Sequence, residues 1–156
     1  METIEKSGER NEFLSFRLGR EEYAIDILQV REIREHQAPT RIAGAPAYVK
    51  GVINLRGAII PIVDLRARFG LEALGEGDSR VVIILSIAQR SMGIVVDGVN
   101  DVVAVPAGDI RPAPRELADV VERGFVHGLA SVGERLLIVV DLARLLAPAA
   151  ALEETA

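Results

Sequence analysis

The chain has 156 residues, of which 49% are hydrophobic, so it is long enough for one packed domain or for two very small ones that share a core. Its net charge of −5, with 18 basic residues scattered among 23 acidic ones, argues against a general nucleic-acid binder. The absence of cysteine excludes disulfides and thiolate sites, and the polar N-terminus lacks the apolar core of a secretory signal. A cytoplasmic protein without a membrane span is expected.

Taken in chain order, the sequence opens with residues 1–12, which are charged, lack periodicity and are predicted to be flexible. Short apolar runs rich in β-branched residues then follow, separated by Gly, Pro or Asp. This spacing favours an all-β sandwich or barrel over alternating strands and helices. The clearest runs are Phe13–Leu18, Tyr23–Ile33, Ala58–Leu65, Val81–Ala88, Met92–Val105 and Leu136–Leu142.

Only a few short helices are predicted. Asp64 and Asp141 each precede a leucine and a basic residue, which suits the N-cap of one or two helical turns. Gly70 is expected to end the first of these helices and Pro148 the second. The Ala-rich remainder, 148–156, is predicted to be a tail.

An internal duplication organises these elements. Phe16–Ile25 aligns with Leu85–Ile94 at an offset of about 69, and Gly51–Phe69 aligns with Gly128–Leu146 at an offset of about 77. The second pair of segments shares an Asp-Leu landmark at Asp64 and Asp141. Two segments that recur in the same order predict one β unit used twice.

The sequence offers little for catalysis or metal binding. His36 and His127 have no further ligands at a suitable spacing, so no metal and no cofactor is expected. No serine lies in a Gly-x-Ser-x-Gly turn, and no phosphate-binding loop is present. Asp64 and Asp141 could formally act as a carboxylate pair in a small enzyme, but helix caps explain both without chemistry.

The segment Gly51–Leu65 is harder to explain structurally. A turn at Arg56-Gly57 accounts for the glycine, but such a turn does not by itself require Asn54 or Arg56. The equivalent positions in the second copy are Ser131 and Gly133. Two interpretations stay open: an interface anchor, or a surface turn whose arginine pairs with a nearby acid. The alternating segment Ile25–Arg34 is the other candidate, and its pattern favours an ordinary solvated strand face over a binding surface.

These segments resemble the CheW family of chemotaxis coupling proteins. The matching stretches are FLSFRLGREEYAIDILQVRE from Phe13, VKGVINLRGAIIPIVDLRARF within 40–69, GIVVDGVNDVV from Gly93 and IRPAP from Ile110. The resemblance spans 13–147 and implies a CheW-like domain of two intertwined, five-stranded SH3-like β-barrels. It also implies a non-enzymatic adaptor that couples transmembrane chemoreceptors to the histidine kinase CheA and is recruited to membrane-associated receptor arrays.

The resemblance further implies two binding surfaces. The one for the cytoplasmic hairpin tip of the receptor falls on Val30, Glu32, Gly51, Asn54, Arg56, Gly93 and Val102. The one for the regulatory domain of the kinase falls on Ile27 of one barrel and on Arg111 and Leu117 of the other, with Glu116 as a second match for the last position. An adaptor of the same fold for a different receptor–kinase array, controlling motility or a second messenger, is the alternative.

Overall fold

The computed structural model describes residues 10–70, 80–114 and 125–147. The strands in these ranges are β1 (Arg10–Leu18), β2 (Glu21–Asp26), β3 (Val30–Glu35), β4 (Val49–Leu55), β5 (Ala58–Asp64), β6 (Val81–Ile87), β7 (Arg90–Val96), β8 (Gly98–Pro106), β9 (Ile110–Arg111), β10 (Val126–Val132) and β11 (Arg135–Val140). Helix α1 spans Leu65–Arg68 and residues 142–147 form helix α2. Single 3₁₀ turns cover Ile27–Gln29 and Ala107–Asp109.

Strand β1 begins at Arg10, inside the segment 1–12 that the sequence predicts to be flexible. Arg10, Asn11 and Glu12 pair with residues 104–106 of β8, so the partner that extends this strand is far away along the chain. A charged composition cannot reveal such a pairing. The predicted tail, 148–156, lies outside the described residues.

The strands form two sheets that exchange hairpins. The first sheet has the order β3-β6-β7-β5-β4, and the second has the order β8-β1-β2-β11-β10-β9. The hairpin β1-β2 therefore sits in the sheet built mainly from the second half, and β6-β7 sits in the other. The predicted mainly-β class with two related barrels is confirmed. The second sheet gains a sixth strand because β9 pairs with β10.

The strand register confirms the duplication. Ile62 of β5 pairs in parallel with Gly93 of β7, and Val139 of β11 pairs in parallel with Ala24 of β2. These are equivalent residues under the two offsets found in the sequence. Both copies thus place the same positions side by side in their sheets.

Both predicted helix caps are present. The Asp64 carboxylate accepts a hydrogen bond from the Arg66 backbone N–H at 3.0 Å, and the Asp141 carboxylate accepts one from the Arg144 N–H at 3.2 Å. These bonds satisfy amides that have no partner within a first helical turn. Gly70, at φ 78°, follows α1 as predicted.

A shared core holds the sheets together. Residues 82–85 of β6 are all buried, so this strand is covered on both faces. Arg68 adds a link between the halves, because its guanidinium lies 4.7 Å from the Tyr48 ring centre and 4.3 Å from that of Phe125. Its Nε also donates to the Leu145 carbonyl at 3.0 Å. Burial and cation–π contacts thus fix one sheet against the other.

Candidate functional site

The turn between β4 and β5 presents two polar residues. Arg56 and Gly57 have φ values of 52° and 88°, as a two-residue hairpin turn requires, so the predicted turn is confirmed. The Gly57 backbone N–H donates to Oδ1 of Asn54 at 3.0 Å. The Asn54 side chain therefore stabilises the turn, whereas the hairpin β10-β11 forms with Ser131 at the equivalent position.

Arg56 is paired with an acid on another strand. Its Nη2 lies 2.5 Å from Oε2 of Glu32 in β3, and Nη1 of Arg34 lies 3.1 Å from Oε1 of the same carboxylate. The hydrogen bonds from Arg56 and Arg34 hold the pKa of Glu32 below its usual range. The Arg56 side chain is nevertheless 68% exposed, so most of its surface stays open to a partner. The structure thus contains the ion pair expected of a surface turn, and it also leaves Arg56 exposed, as an interface anchor requires.

A shallow cavity of about 220 Å³ opens beside this ion pair. Arg31 stands at its rim, where its Nη1 donates to Oγ of Ser91 in β7 at 3.2 Å. Charged and polar side chains line it together with apolar residues that are largely buried. Its lining residues are Arg31, Glu32, Leu55, Arg56, Ala58, Ile60, Ile84 and Ser91.

Two of the predicted receptor-binding residues, Gly51 and Gly93, are buried and flank Ile62 of β5 in the strand register. A Cβ on Gly51, at φ 143°, would lie 2.1 Å from the Thr40 carbonyl oxygen, and a Cβ on Gly93 would lie 2.6 Å from Cδ1 of Ile62. Close packing therefore explains both glycines. Their role as receptor contacts stays a prediction.

The valines of the same set lie apart from each other. Val30 begins β3, is half-buried and packs against the shared core. Val102 lies in β8 of the other sheet and is 49% exposed. The structure therefore brings Glu32 of β3 next to Asn54 and Arg56 of the β4-β5 turn, and it places Val102 on the second barrel.

The first predicted kinase contact lies in a 3₁₀ turn. Ile27 is half-buried and packs against the shared core, whereas the next residue, Leu28, is 87% exposed. Asp26 caps this turn by accepting a hydrogen bond from the Leu28 N–H at 2.9 Å. Sequence periodicity did not single out Leu28, because the turn interrupts the strand run predicted over Tyr23–Ile33.

The second predicted kinase surface is described in part. Arg111 of β9 is exposed and lines a cavity of about 530 Å³ together with Leu129 and Leu136. Leu136 is itself 56% exposed. Leu117 and its alternative Glu116 lie outside the described residues.

Sequence reasoning missed an ion cluster on the second barrel. The Arg135 guanidinium contacts Glu22 and lies 2.8 Å from Oδ1 of Asp101. Nδ2 of Asn100 donates to the same Glu22 carboxylate at 3.0 Å, and the buried Ser15 hydroxyl contacts it as well. Hydrogen bonding to Arg135 is the main cause that lowers the pKa of Glu22 to about 2. The charges of these residues gave no signal, because they come from four separate strands.

The described part of the chain shows no metal site, because no cluster of three or more His, Cys, Asp or Glu side chains within it could hold a metal ion. None of its helices is long and apolar enough to cross a membrane. Asp64 and Asp141, the formal carboxylate pair, each cap a helix of their own.

Comparison with known proteins identifies the family. The family model described as CheW-like domain matches residues 12–150. The chain is 52% identical to Chemotaxis protein CheW of Klebsiella aerogenes, over 86% of this chain and 81% of that protein. It is 41% identical to Chemotaxis protein CheW of Rhizobium meliloti, over 84% of each chain. Among solved structures it resembles the scaffolding protein TtCheW from Thermoanaerobacter tengcongensis, with a TM-score of 0.77, 32% identity and coverage of 88% of this chain and 92% of that one. The chain therefore belongs to the CheW-like domain family and is a chemotaxis scaffold protein.

Proposed function

We propose that the chain joins the cytoplasmic hairpin tip of a chemoreceptor to the regulatory domain of the histidine kinase CheA and catalyses no reaction itself. It is a cytoplasmic adaptor that becomes part of a membrane-associated receptor array. Two separate surfaces on a double barrel with a shared core suit this task, because each partner can then bind without displacing the other.

The receptor surface centres on Glu32, Asn54 and Arg56. The observation that carries this assignment is the position of Arg56: it sits on a tight turn, its side chain is held by Glu32, and 68% of it faces solvent. A charged donor that is already oriented loses little conformational entropy on binding, which favours an interface anchor. Val30, Gly51, Gly93 and Val102 complete the proposed set.

The kinase surface centres on the 3₁₀ turn Ile27–Gln29 and on Arg111 with Leu117. Leu28 is added to this surface because it is a large apolar side chain with 87% exposure, next to the residue that the family resemblance selects. Leu28 and the half-buried Ile27 together form a small apolar surface, which an apolar patch of the kinase would cover.

The substitution Arg56→Glu tests the receptor surface. It places a carboxylate beside Glu32, so we expect the affinity for a purified cytoplasmic receptor fragment to fall at least about tenfold while the fold is retained. Arg144→Glu is the matched control, because Arg144 also has 68% exposure and pairs with an aspartate, on helix α2.

Calorimetric titration with the receptor fragment, circular dichroism and receptor-dependent kinase activity are the measurements. Normal receptor affinity of a folded Arg56→Glu protein would refute the assignment of this turn. A wild-type chain that binds neither the receptor fragment nor the kinase would refute the adaptor function as a whole.

A further inference from the structure

The cavity beside Arg56 has a counterpart on the second barrel. The sequence offsets that relate the two copies carry Arg31 onto Asn100, Glu32 onto Asp101 and Ser91 onto Glu22. They also carry Ala58 onto Arg135 and Ile84 onto Ser15. These five counterparts are the residues of the ion cluster described above. The same place in the fold therefore exists twice, with different chemistry.

On the second barrel the chain fills this place with its own side chain. Arg135 reaches across it and pairs with two carboxylates, those of Glu22 and Asp101. Its exposed fraction is only 35%, compared with 68% for Arg56. The Arg135 side chain therefore fills this space on the second barrel, and its positive charge matches the two acids that line the space.

On the first barrel the space is open and the charges are reversed. Ala58 stands where Arg135 stands in the other copy, which leaves the cavity of about 220 Å³. Ser91 replaces the acid Glu22, and Arg31 replaces the neutral Asn100. Glu32 is the acid that remains, and it is already paired with arginine side chains. Among the described residues, Arg31 contacts the Ser91 hydroxyl and no carboxylate.

We propose that this cavity receives one acidic side chain, a glutamate or an aspartate, from the hairpin tip of the receptor. Its carboxylate would bind between the guanidinium groups of Arg31 and Arg56, which line the cavity. Charge complementarity selects an acid here for the same reason that it selects Arg135 in the other copy. That the partner is the receptor hairpin rests on the function proposed above.

A small-molecule titration tests the cavity without any partner. Butyrate carries a carboxylate on a short apolar tail, and butylguanidinium carries the opposite charge on a similar tail. We expect butyrate to shift the side-chain N–H signals of Arg31 and Arg56 in an NMR titration, in a saturable way, and butylguanidinium to leave them unchanged. Equal responses to both probes, or butyrate shifts confined to other arginines, would overturn the proposal.

Two variants copy the second barrel onto the first. Ser91→Glu introduces the acid that Glu22 supplies, and we expect it to weaken butyrate binding at least about fivefold. Ser91→Glu combined with Ala58→Arg rebuilds the closed site, and we expect it to abolish butyrate binding while circular dichroism stays that of the wild type. Undiminished butyrate binding in both folded variants would refute the assignment.

The receptor fragment then links the cavity to the proposed function. We expect Ser91→Glu and Arg31→Gln each to lower receptor affinity at least about fivefold, since both remove positive potential from the cavity. Full receptor affinity in these variants would overturn the acidic-side-chain proposal and leave the adaptor function intact. Absence of receptor binding by the wild-type chain would instead overturn the adaptor function, whatever the butyrate titration gives.

Discussion

The ion cluster on the second barrel predicts a pH-dependent contribution to stability. Glu22 is 18% exposed, contacts Arg135 and accepts from Asn100. Its pKa in the folded chain is about 2, against 4.5 for an unperturbed glutamate. A shift of one pKa unit corresponds to about 1.4 kcal/mol, so the carboxylate contributes at most about 3–4 kcal/mol. Solvent access to Arg135 reduces this, and about 1–3 kcal/mol is expected.

The sign follows from the direction of the shift. Because the folded pKa lies below the unfolded one, the contribution is fully present above about pH 4.5 and is lost as the pH falls towards 2. Glu22→Gln removes the charge and keeps the shape of the side chain. We therefore expect the variant to be about 1–3 kcal/mol less stable than the wild type at pH 7, with the difference shrinking between about pH 4.5 and pH 2.

Urea unfolding followed by far-UV circular dichroism, at a series of pH values, measures this difference. Tryptophan fluorescence is not an option, because the chain contains no tryptophan. Glu21→Gln is the control, since it removes a carboxylate from the exposed start of the same strand and should change stability by less than about 0.5 kcal/mol. Equal stability of Glu22→Gln and wild type from pH 7 to pH 2 would refute the reasoning.

Three further substitutions probe the kinase surface and the packing. Leu28→Glu should leave the unfolding free energy within about 0.5 kcal/mol and weaken kinase binding about tenfold, because the side chain is 87% exposed. Ile27→Glu should lower the free energy of unfolding as well as the kinase affinity, since Ile27 packs against the core. Urea unfolding measures the first effect and calorimetry the second. Unchanged kinase affinity in both variants would rule out this surface. Gly51→Ala should lower the free energy of unfolding by at least about 3 kcal/mol, because the new Cβ would lie 2.1 Å from the Thr40 carbonyl oxygen. Gly108→Ala is the control and should leave stability nearly unchanged, since the space around Gly108 is open. Equal urea midpoints of the two variants would contradict the packing argument.

Local patterns in the sequence predict much of the fold. The apolar runs indicate the strands, and the Asp-Leu landmark indicates both capped helices. The two offsets even identify the residues that pair in parallel, Ile62 with Gly93 and Val139 with Ala24. Such signals are strong because strand spacing, capping and repetition are local properties that each copy must satisfy independently.

The parts that the sequence does not predict depend on contacts between distant residues. The turn at Arg56 suggests an acidic partner but does not name Glu32, which lies on another strand. Gly133 is the residue that aligns with Arg56, and Arg135 lies two positions beyond it. Alignment alone therefore does not reveal that Arg135 fills the counterpart of the cavity on the second barrel. Exposure of Leu28 likewise follows from a 3₁₀ turn that interrupts the strand pattern.

The exchange of hairpins between the sheets sets the order in which the chain can fold during synthesis. Strand β1 pairs with β8, and β2 pairs with β11, so the first hairpin to leave the ribosome waits for strands made near the end of translation. The first sheet can be completed once β7 has emerged, whereas the second needs almost the whole described chain. Phe13 of β1 and Ala24 of β2 pack in a core cluster whose other buried members come from β8, β10 and β11, so this face of the first hairpin stays uncovered in a nascent chain until those strands have been made.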